Sequence, residues 1–269
     1  MRETLIRTAS GIIYIILLIG ATLYSSYTFQ ILFGILMLIS IYEYCKLIKT
    51  SLLGPMFVGT VLYSLFAVLS KDIVTSILIL IPTLYFAINN MILLFKNNME
   101  ELEGDQKLRS VLNYIILPFI IIAQIPFEEG FYNPRIIISI FILIWVNDTF
   151  AYIVGKSIGK NKLFEAISPK KTIEGFIGGL GFAMLAGLLL AQYYNHQPFL
   201  IWVIIAVIVS VFGTIGDLIE SRFKRIAKVK DSGTIMPGHG GILDRLDSII
   251  FAAPFVFLFF QVLNIFSRF

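Results

Sequence analysis

Charge is scarce in this 269-residue chain: 14% of its residues are Asp, Glu, Lys or Arg, against 58% hydrophobic. Soluble domains carry about a quarter charged residues. A soluble chain this apolar could not cover its own core with polar surface, so lipid must be its solvent. Cysteine is nearly absent as well. The single Cys45 excludes an intramolecular disulfide and a cysteine-based metal site. The two histidines, His196 and His239, stand far apart and exclude a zinc-type spacing. There is no repeat of 20–50 residues and no low-complexity tract. The basic balance, net +4 with a pI near 9.0, would suggest nucleic acid in a soluble protein. In a chain with mean hydropathy +0.88 it reads instead as the positive-inside bias of a membrane protein, with no nucleic-acid partner expected.

What is present is a series of apolar runs, each about 20 residues long, as a membrane span requires. They fall at 9–26, 27–45, 52–70, 73–95, 110–127, 133–155, 173–194, 199–220 and 247–267. The expected fold is therefore all-α: a polytopic bundle of about nine transmembrane helices, with 12–23 a retained helix rather than a cleaved signal peptide. With the N-terminus cytoplasmic, 18 of the 21 basic residues fall on the inner side and only Lys71, Arg135 and Arg268 on the other. The connector 96–109 is the one mixed-charge polar segment of the first half. It divides an N-terminal bundle, 1–95, expected to be scaffold, from a C-terminal catalytic bundle, 110–269. Within the first half, Glu43 and Asn89–Asn90 are the main polar features, expected at helix ends or bonded to neighbouring helices.

Chemistry-bearing residues concentrate beyond position 140. Asn147-Asp148 places a carboxylate inside an apolar run, where it usually faces a cavity, a partner or an ion. Tyr152, Gly155 and Gly159 continue its helix face. Ser168-Pro169-Lys170-Lys171-Thr172-Ile173-Glu174-Gly175 resembles a helix start, with a hydroxyl ahead of an acid and two lysines beside free amides, which suits an anion. Gly175, Gly178, Gly179 and Gly181 then read as a packing stripe. Asp217, Ser221 and Lys224 share one helix face. A glycine-rich segment, Lys230 to Gly241, follows and ends in Asp244-Arg245-Leu246-Asp247. Carboxylates three apart with few other donors nearby suit a hard cation such as Mg²⁺, which completes its shell with water and substrate phosphates. Six flanking cations, Arg222, Lys224, Arg225, Lys228, Lys230 and Arg245, suit a polyphosphate.

The run S-R-F-K-R-x₄-K-D-S-G-x-x-M-P-G-H-G-G-I-L-D-R-L-D, Ser221 to Asp247, closely resembles the signature of the phosphatidate cytidylyltransferases, or CDP-diacylglycerol synthases. Met236 is a mild apolar departure, and the stretches around Asp148 and Ser168–Gly175 also look like that family. The resemblance implies a Mg²⁺-dependent enzyme of phospholipid biosynthesis that joins CTP and phosphatidic acid, giving CDP-diacylglycerol and pyrophosphate. It implies a multi-pass protein of a bacterial-type inner membrane with its active site on the cytoplasmic side, embedded in the lipid bilayer and compatible with a homodimer. Asp244 and Asp247 would hold Mg²⁺, with Asp217 and Asp148 completing a site that has room for a second cation. Asp217, Asp244, Asp247 and Lys224 would be the catalytic set. Lys224, Arg225, Lys230 and Arg245 would hold the triphosphate, Ser221 a substrate phosphate, and Ser168, Lys170, Lys171 and Thr172 phosphatidate or CTP. His239 would bond a phosphate or order its loop. Two alternatives stand beside this reading. A CTP-dependent lipid kinase would share the nucleotide and metal but release CDP. An organic-anion transporter should show broken helices in both halves, whereas the charge here is confined to one.

Overall fold

In lipid, a run of apolar residues can satisfy its backbone only by bonding internally, so each apolar run becomes a helix. The computed structural model describes residues 2–69, 73–96, 99–128, 130–238 and 240–266. Lys71 and Arg268, Asn97 and Asn98 of the connector, and His239 lie outside the described residues. Nine helices are present among the described residues: α1 Arg2–Tyr24, α2 Ser26–Leu47, α3 Leu53–Leu69, α4 Ile73–Phe95, α5 Asp105–Gln124, α6 Pro134–Ile158, α7 Ile173–Asn195, α8 Phe199–Ile226 and α9 Leu243–Phe266. Seven of them are long and apolar enough to cross a membrane, while the apolar part of α1, Thr8–Tyr24, and all of α3 are shorter. The protein is an all-α polytopic membrane bundle.

Two short antiparallel hairpins join the helices, β1 (Phe127–Glu128) with β2 (Phe131–Tyr132) and β3 (Lys162–Phe164) with β4 (Ser168–Thr172). The second places Ser168 to Lys171 in a strand that leads into α7, whose start at Ile173 agrees with the apolar run 173–194. Its cap is Thr172, whose Oγ1 accepts from Gly175 N at 3.1 Å. Glu174 does not close a capping box. It accepts instead from the amides of Lys160 and Asn161, which fastens the first turn of α7 to the connection between α6 and β3. Two helix ends also differ from the apolar runs. α8 continues to Ile226 and α9 starts at Leu243, so the charged face from Asp217 to Lys224 and both Asp244 and Asp247 are helical.

Three segments, Ser64–Leu69, Leu112–Ile116 and Ala191–Asn195, are wound as π-helix. Such widening leaves carbonyls short of partners. Around α3 the gap is closed by amides from other helices: Gln30 Nε2 donates to Ala67 O at 2.9 Å, and Gln124 Nε2 to Phe66 O at 2.8 Å. These two glutamines are buried polar residues with their donors satisfied, as lipid demands. Asn90 bonds its own helix, at Phe86 O.

The tightest packing joins α6 to α7, α7 to α8 and α8 to α9. Small residues permit it. A Cβ on Gly175 would stand 2.6 Å from Ala151 O, and one on Gly179 2.6 Å from Asn147 O, whereas Gly181 faces open space. The N-terminal helices are built into the same body through α2. Tyr44 packs against Tyr114 of α5 and Phe223 of α8, with ring centroids 5.2 and 5.3 Å away. Its neighbour Glu43, 1% exposed, accepts from Ile242 N at 3.1 Å and Leu243 N at 2.8 Å. These amides open α9, so a carboxylate from α2 caps a helix some two hundred residues away and complements its dipole. The glycines Gly233 and Gly241 let the chain close around that carboxylate, because a Cβ at either position would collide with it.

Two substitutions follow from this packing. Gly175→Ala should wedge α6 from α7 and cost about 1–3 kcal/mol, read as a lower melting temperature in detergent, with Gly181→Ala unchanged. Equal melting of the two would show that the stripe is not tightly packed. Glu43→Ala leaves two buried amides unpaired, a loss of about 1–3 kcal/mol. Limited trypsinolysis at Lys228 and Lys230 should then accelerate at a temperature where the wild type resists, and unchanged cleavage would remove Glu43 as the anchor of that segment.

Candidate active site

The last three turns of α8 carry Asp217, Glu220, Ser221 and Lys224, with Lys224 and Arg225 at the end where the helix dipole favours cations. Ser221 Oγ donates to Asp217 Oδ1 at 3.2 Å. Lys224 reaches between two carboxylates, its Nζ 2.7 Å from Glu220 Oε2 on its own helix and 2.7 Å from Asp244 Oδ1 on α9. Both acids are largely withdrawn from water, so this cation balances charge that solvation cannot.

Between α8 and α9 the chain turns through residues 227–242. Met236 N donates to Gly240 O at 2.9 Å, and Gly238 and Gly240 adopt φ of 75° and 86°, conformations that favour glycine. Gly240 is doubly constrained, since a Cβ there would also stand 2.6 Å from Asp244 Oδ2. That oxygen gathers the loop: it accepts from Ser232 N at 2.9 Å, Ser232 Oγ at 3.0 Å and Gly241 N at 2.7 Å. Asp244 is thus the knot that ties the glycine-rich segment to α8 and α9.

The β3–β4 hairpin and α6 close the site from the other side. Lys171 of β4 forms an ion pair with Asp217 Oδ2 at 2.5 Å. Asp148 on α6 accepts from Asn147 Nδ2 at 3.1 Å. Asp247 lies in the first turns of α9 with Oδ1 accepting from Ser248 N at 2.7 Å. A carboxylate oxygen of Asp247 lies within 4.8 Å of one on Asp217, and Asp247 and Asp148 line the same cavity. Five acids, Asp148, Asp217, Glu220, Asp244 and Asp247, and the two lysines therefore form one electrostatic unit.

A cavity of about 210 Å³ opens beside this unit. Its lining combines the polar side chains of Asp148, Asp244, Arg245, Asp247 and Ser248 with the large apolar side chains of Ile15, Phe141, Ile144 and Trp145. Carboxylate oxygens of Asp217, Glu220 and Asp247 lie within 4.8 Å of one another. Glu220 is 0% exposed, and its Oε1 is buried without a hydrogen-bond partner among the described residues. An oxygen-only set of three carboxylates, one with an unclaimed oxygen, fits a hard divalent cation. The three-carboxylate group contains Glu220, where the sequence pointed to Asp244 and Asp148 beside Asp217 and Asp247. Asp244 is engaged by Lys224 and the loop, and Asp148 borders the cavity.

The remaining expected residues are dispersed around this centre. Arg225 holds backbone carbonyls, its Nε donating to Ile167 O at 3.4 Å and its Nη1 to Val229 O at 3.2 Å, and so ties the hairpin to the loop. Thr172 serves as the cap of α7. Lys170 and Lys230 are exposed on the hairpin and the loop, Ser168 is half-buried at the start of β4, and Arg245 is exposed at the mouth of the cavity. Tyr152, on the face of Asp148, projects outward and does not line the cavity. Two acids escaped the sequence reading as site residues. Glu220 stands three residues after Asp217, the same interval that separates Asp244 from Asp247, and that echo was its signal. Glu43 has no local signal at all, because its partners are distant in sequence.

The chain matches the sequence model of the Cytidylyltransferase family over residues 5–263. It is 48% identical over 121 residues to a phosphatidate cytidylyltransferase of Staphylococcus epidermidis, covering 45% of this chain and 46% of that protein. It is 52% identical over 120 residues to one of Staphylococcus aureus, covering 44% and 46%. A third, from Staphylococcus saprophyticus, is 50% identical over 119 residues, with 44% and 46% covered. By these alignments the chain spans about half the length of the curated relatives it matches. With nearly its whole length inside the family match, and the acid–lysine unit and glycine loop within it, the chain belongs to the cytidylyltransferase family.

Proposed function

We propose that this protein is a phosphatidate cytidylyltransferase that joins CTP and phosphatidic acid, with Mg²⁺, to give CDP-diacylglycerol and pyrophosphate. The observation that carries the reading is the mixed lining of the cavity: five polar side chains, three of them carboxylates, and four large apolar side chains. A water-soluble polyphosphate needs the polar lining, a membrane lipid needs the apolar one, and the reaction needs both reactants in one place. The relatives' shared name supports the same pairing.

In the step itself a phosphate oxygen of the lipid attacks the α-phosphorus of CTP. The new P–O bond forms as the bond to the bridging oxygen breaks, and pyrophosphate carries away the electron pair. The attacking oxygen is already anionic near neutral pH, so no strong general base is required. The obstacle is repulsion between two polyanions and charge on the departing pyrophosphate. Lys224, fixed by Glu220 and Asp244, holds a positive charge beside the reacting phosphates. Lys171, paired with Asp217, supplies a second from the hairpin, and Ser221 donates a hydrogen bond. Lys170, Arg225, Lys230 and Arg245 screen the triphosphate from the rim, with His239 on the same loop. Asp217, Glu220 and Asp247 would hold Mg²⁺, which when bound neutralises phosphate oxygens. Asp148 and Asp244, the other acids at the cavity, leave room for a second cation. The distribution of basic residues supports a cytoplasmic N-terminus and a cytoplasmic active site in the bacterial inner membrane, where CTP is available.

Purified protein in detergent, given labelled CTP, dioleoyl phosphatidate and Mg²⁺, should release pyrophosphate and form CDP-lipid in equal amounts. Release of CDP with phosphorylated lipid would replace this reading with a lipid kinase, and the absence of turnover would end it. Among site variants, Glu220→Gln and Asp247→Asn should each lower kcat by at least about 100-fold, the scale of losing one charged group that stabilises a transition state. The Mg²⁺ concentration for half-maximal rate should rise in both. Activity near the wild type in either variant would remove that carboxylate from the metal group.

A further inference from the structure

The cavity is lined in part by α1, which neither the acidic unit nor the family signature accounts for. Gly11, Tyr14 and Ile15 of α1 line it, three residues at helical spacing. Ile12, Ile13, Ile16 and Leu17, on the other side of the same helix, are exposed as large apolar side chains. One helix therefore separates the cavity from the lipid-facing surface. Ser10 holds it in place, its Oγ donating to Pro237 O of the glycine loop at 3.0 Å.

On this wall the Tyr14 hydroxyl is buried and has no hydrogen-bond partner among the described residues. A buried polar group left unpaired costs about 1–3 kcal/mol, and native structures rarely carry one without a reason. Arg245 and Asp247 are charged side chains that line the same cavity as Tyr14. The large apolar side chains of the lining are Ile15 on α1 and Phe141, Ile144 and Trp145 on α6. A ligand that satisfies this hydroxyl must offer an acceptor oxygen at the charged end and hydrocarbon along the apolar wall. A phosphate on a diacylglycerol does both. A nucleotide base offers no hydrocarbon for that wall.

We propose that Tyr14 is a substrate-selecting residue whose hydroxyl donates a hydrogen bond to the phosphate of the lipid substrate, beside Arg245. This inference rests on the phosphatidate reading above and assigns α1 a part in recognising the lipid. Its role is in binding the lipid rather than in the chemistry at the α-phosphorus.

Tyr14→Phe tests it, because the ring stays and only the unpaired hydroxyl is removed. Without lipid the variant should melt at or above the wild-type temperature, since no bond is lost. Its KM for dioleoyl phosphatidate in mixed micelles should rise about 10- to 150-fold, the span of one hydrogen bond to a charged acceptor. Its KM for CTP should stay within about twofold, as should both constants in Tyr24→Phe, an exposed control on the same helix. The penalty should persist with a dialkyl phosphatidate that lacks ester carbonyls. An unchanged lipid KM, a parallel rise in the CTP KM, or a penalty that vanishes with the dialkyl lipid would overturn the assignment. Thermal protection by dioleoyl phosphatidate alone, smaller in Tyr14→Phe than in the wild type, gives a readout independent of turnover. If the wild type formed no CDP-lipid, the proposed function would fail while this comparison still judged Tyr14.

Discussion

Everything at the charged end of this bundle depends on where Lys224 puts its ammonium group. At 2.7 Å from Glu220 and 2.7 Å from Asp244 it links the last turns of α8 to the start of α9. Two carboxylates and one cation leave a net negative charge, and Asp217 and Asp247 add to it. Such an arrangement is poor as a stabilising device, since apolar residues of the same volume would cost less to bury. It is well suited to a role in which further positive charge arrives from outside. The partial neutralisation also explains why Lys171 is drawn to Asp217, bringing the β3–β4 hairpin over the site.

Geometry at this centre is held from the far side of the chain. Glu43 fixes the amides that open α9, Asp244 gathers the loop from inside α9, and Arg225 tethers the hairpin to the end of the loop. The loop glycines are placed where these carboxylates must approach backbone closely. A flexible sequence thereby becomes a defined turn, because Gly233, Gly240 and Gly241 each face an acid or a hydroxyl that closes in on them. Flexibility of composition and rigidity of structure are compatible here: glycine removes the steric obstacle, and the carboxylates supply the restraint.

The helical runs were legible because lipid imposes one rule on every span, that backbone bonds close internally. Each of the nine apolar runs corresponds to a helix. The ends were less legible, and α8 shows why. Hydropathy falls after Glu220, but Ser221 to Arg225 stay helical because their polar groups find partners within the protein. The hairpin β3–β4 was missed since Pro169, Lys170 and Lys171 carry no alternation of apolar and polar residues, and tertiary contacts decided their conformation. In the site, Asp217, Ser221, Lys224, Asp244 and Asp247 stood out through spacing within one segment. Glu220 was obscured by the charges around it. Glu43 was visible only as an acid in a bland span, because the amides it caps lie about two hundred residues away and no local pattern encodes them.

That last case bears on what the first helices are for. The proposed reaction, joining a nucleotide to a lipid, needs a site that is wet at one end and greasy at the other, and those demands conflict. A polar cluster surrounded by lipid on every side would be costly to keep ordered, while one wholly walled by polar helices would exclude hydrocarbon. The structure resolves the conflict by division of labour. α6, α8 and α9 carry the acids, α2 anchors them through Glu43 and Tyr44, and α1 stands at the edge with lipid on one face and the cavity on the other. The N-terminal helices are therefore more than a frame for the C-terminal ones. Removing α1 would open the apolar wall to the bilayer, and removing Glu43 would release the turn on which Asp244 and Asp247 sit. The chemistry is written in the second half of the chain, but the boundary between water and lipid that the chemistry requires is drawn by the first.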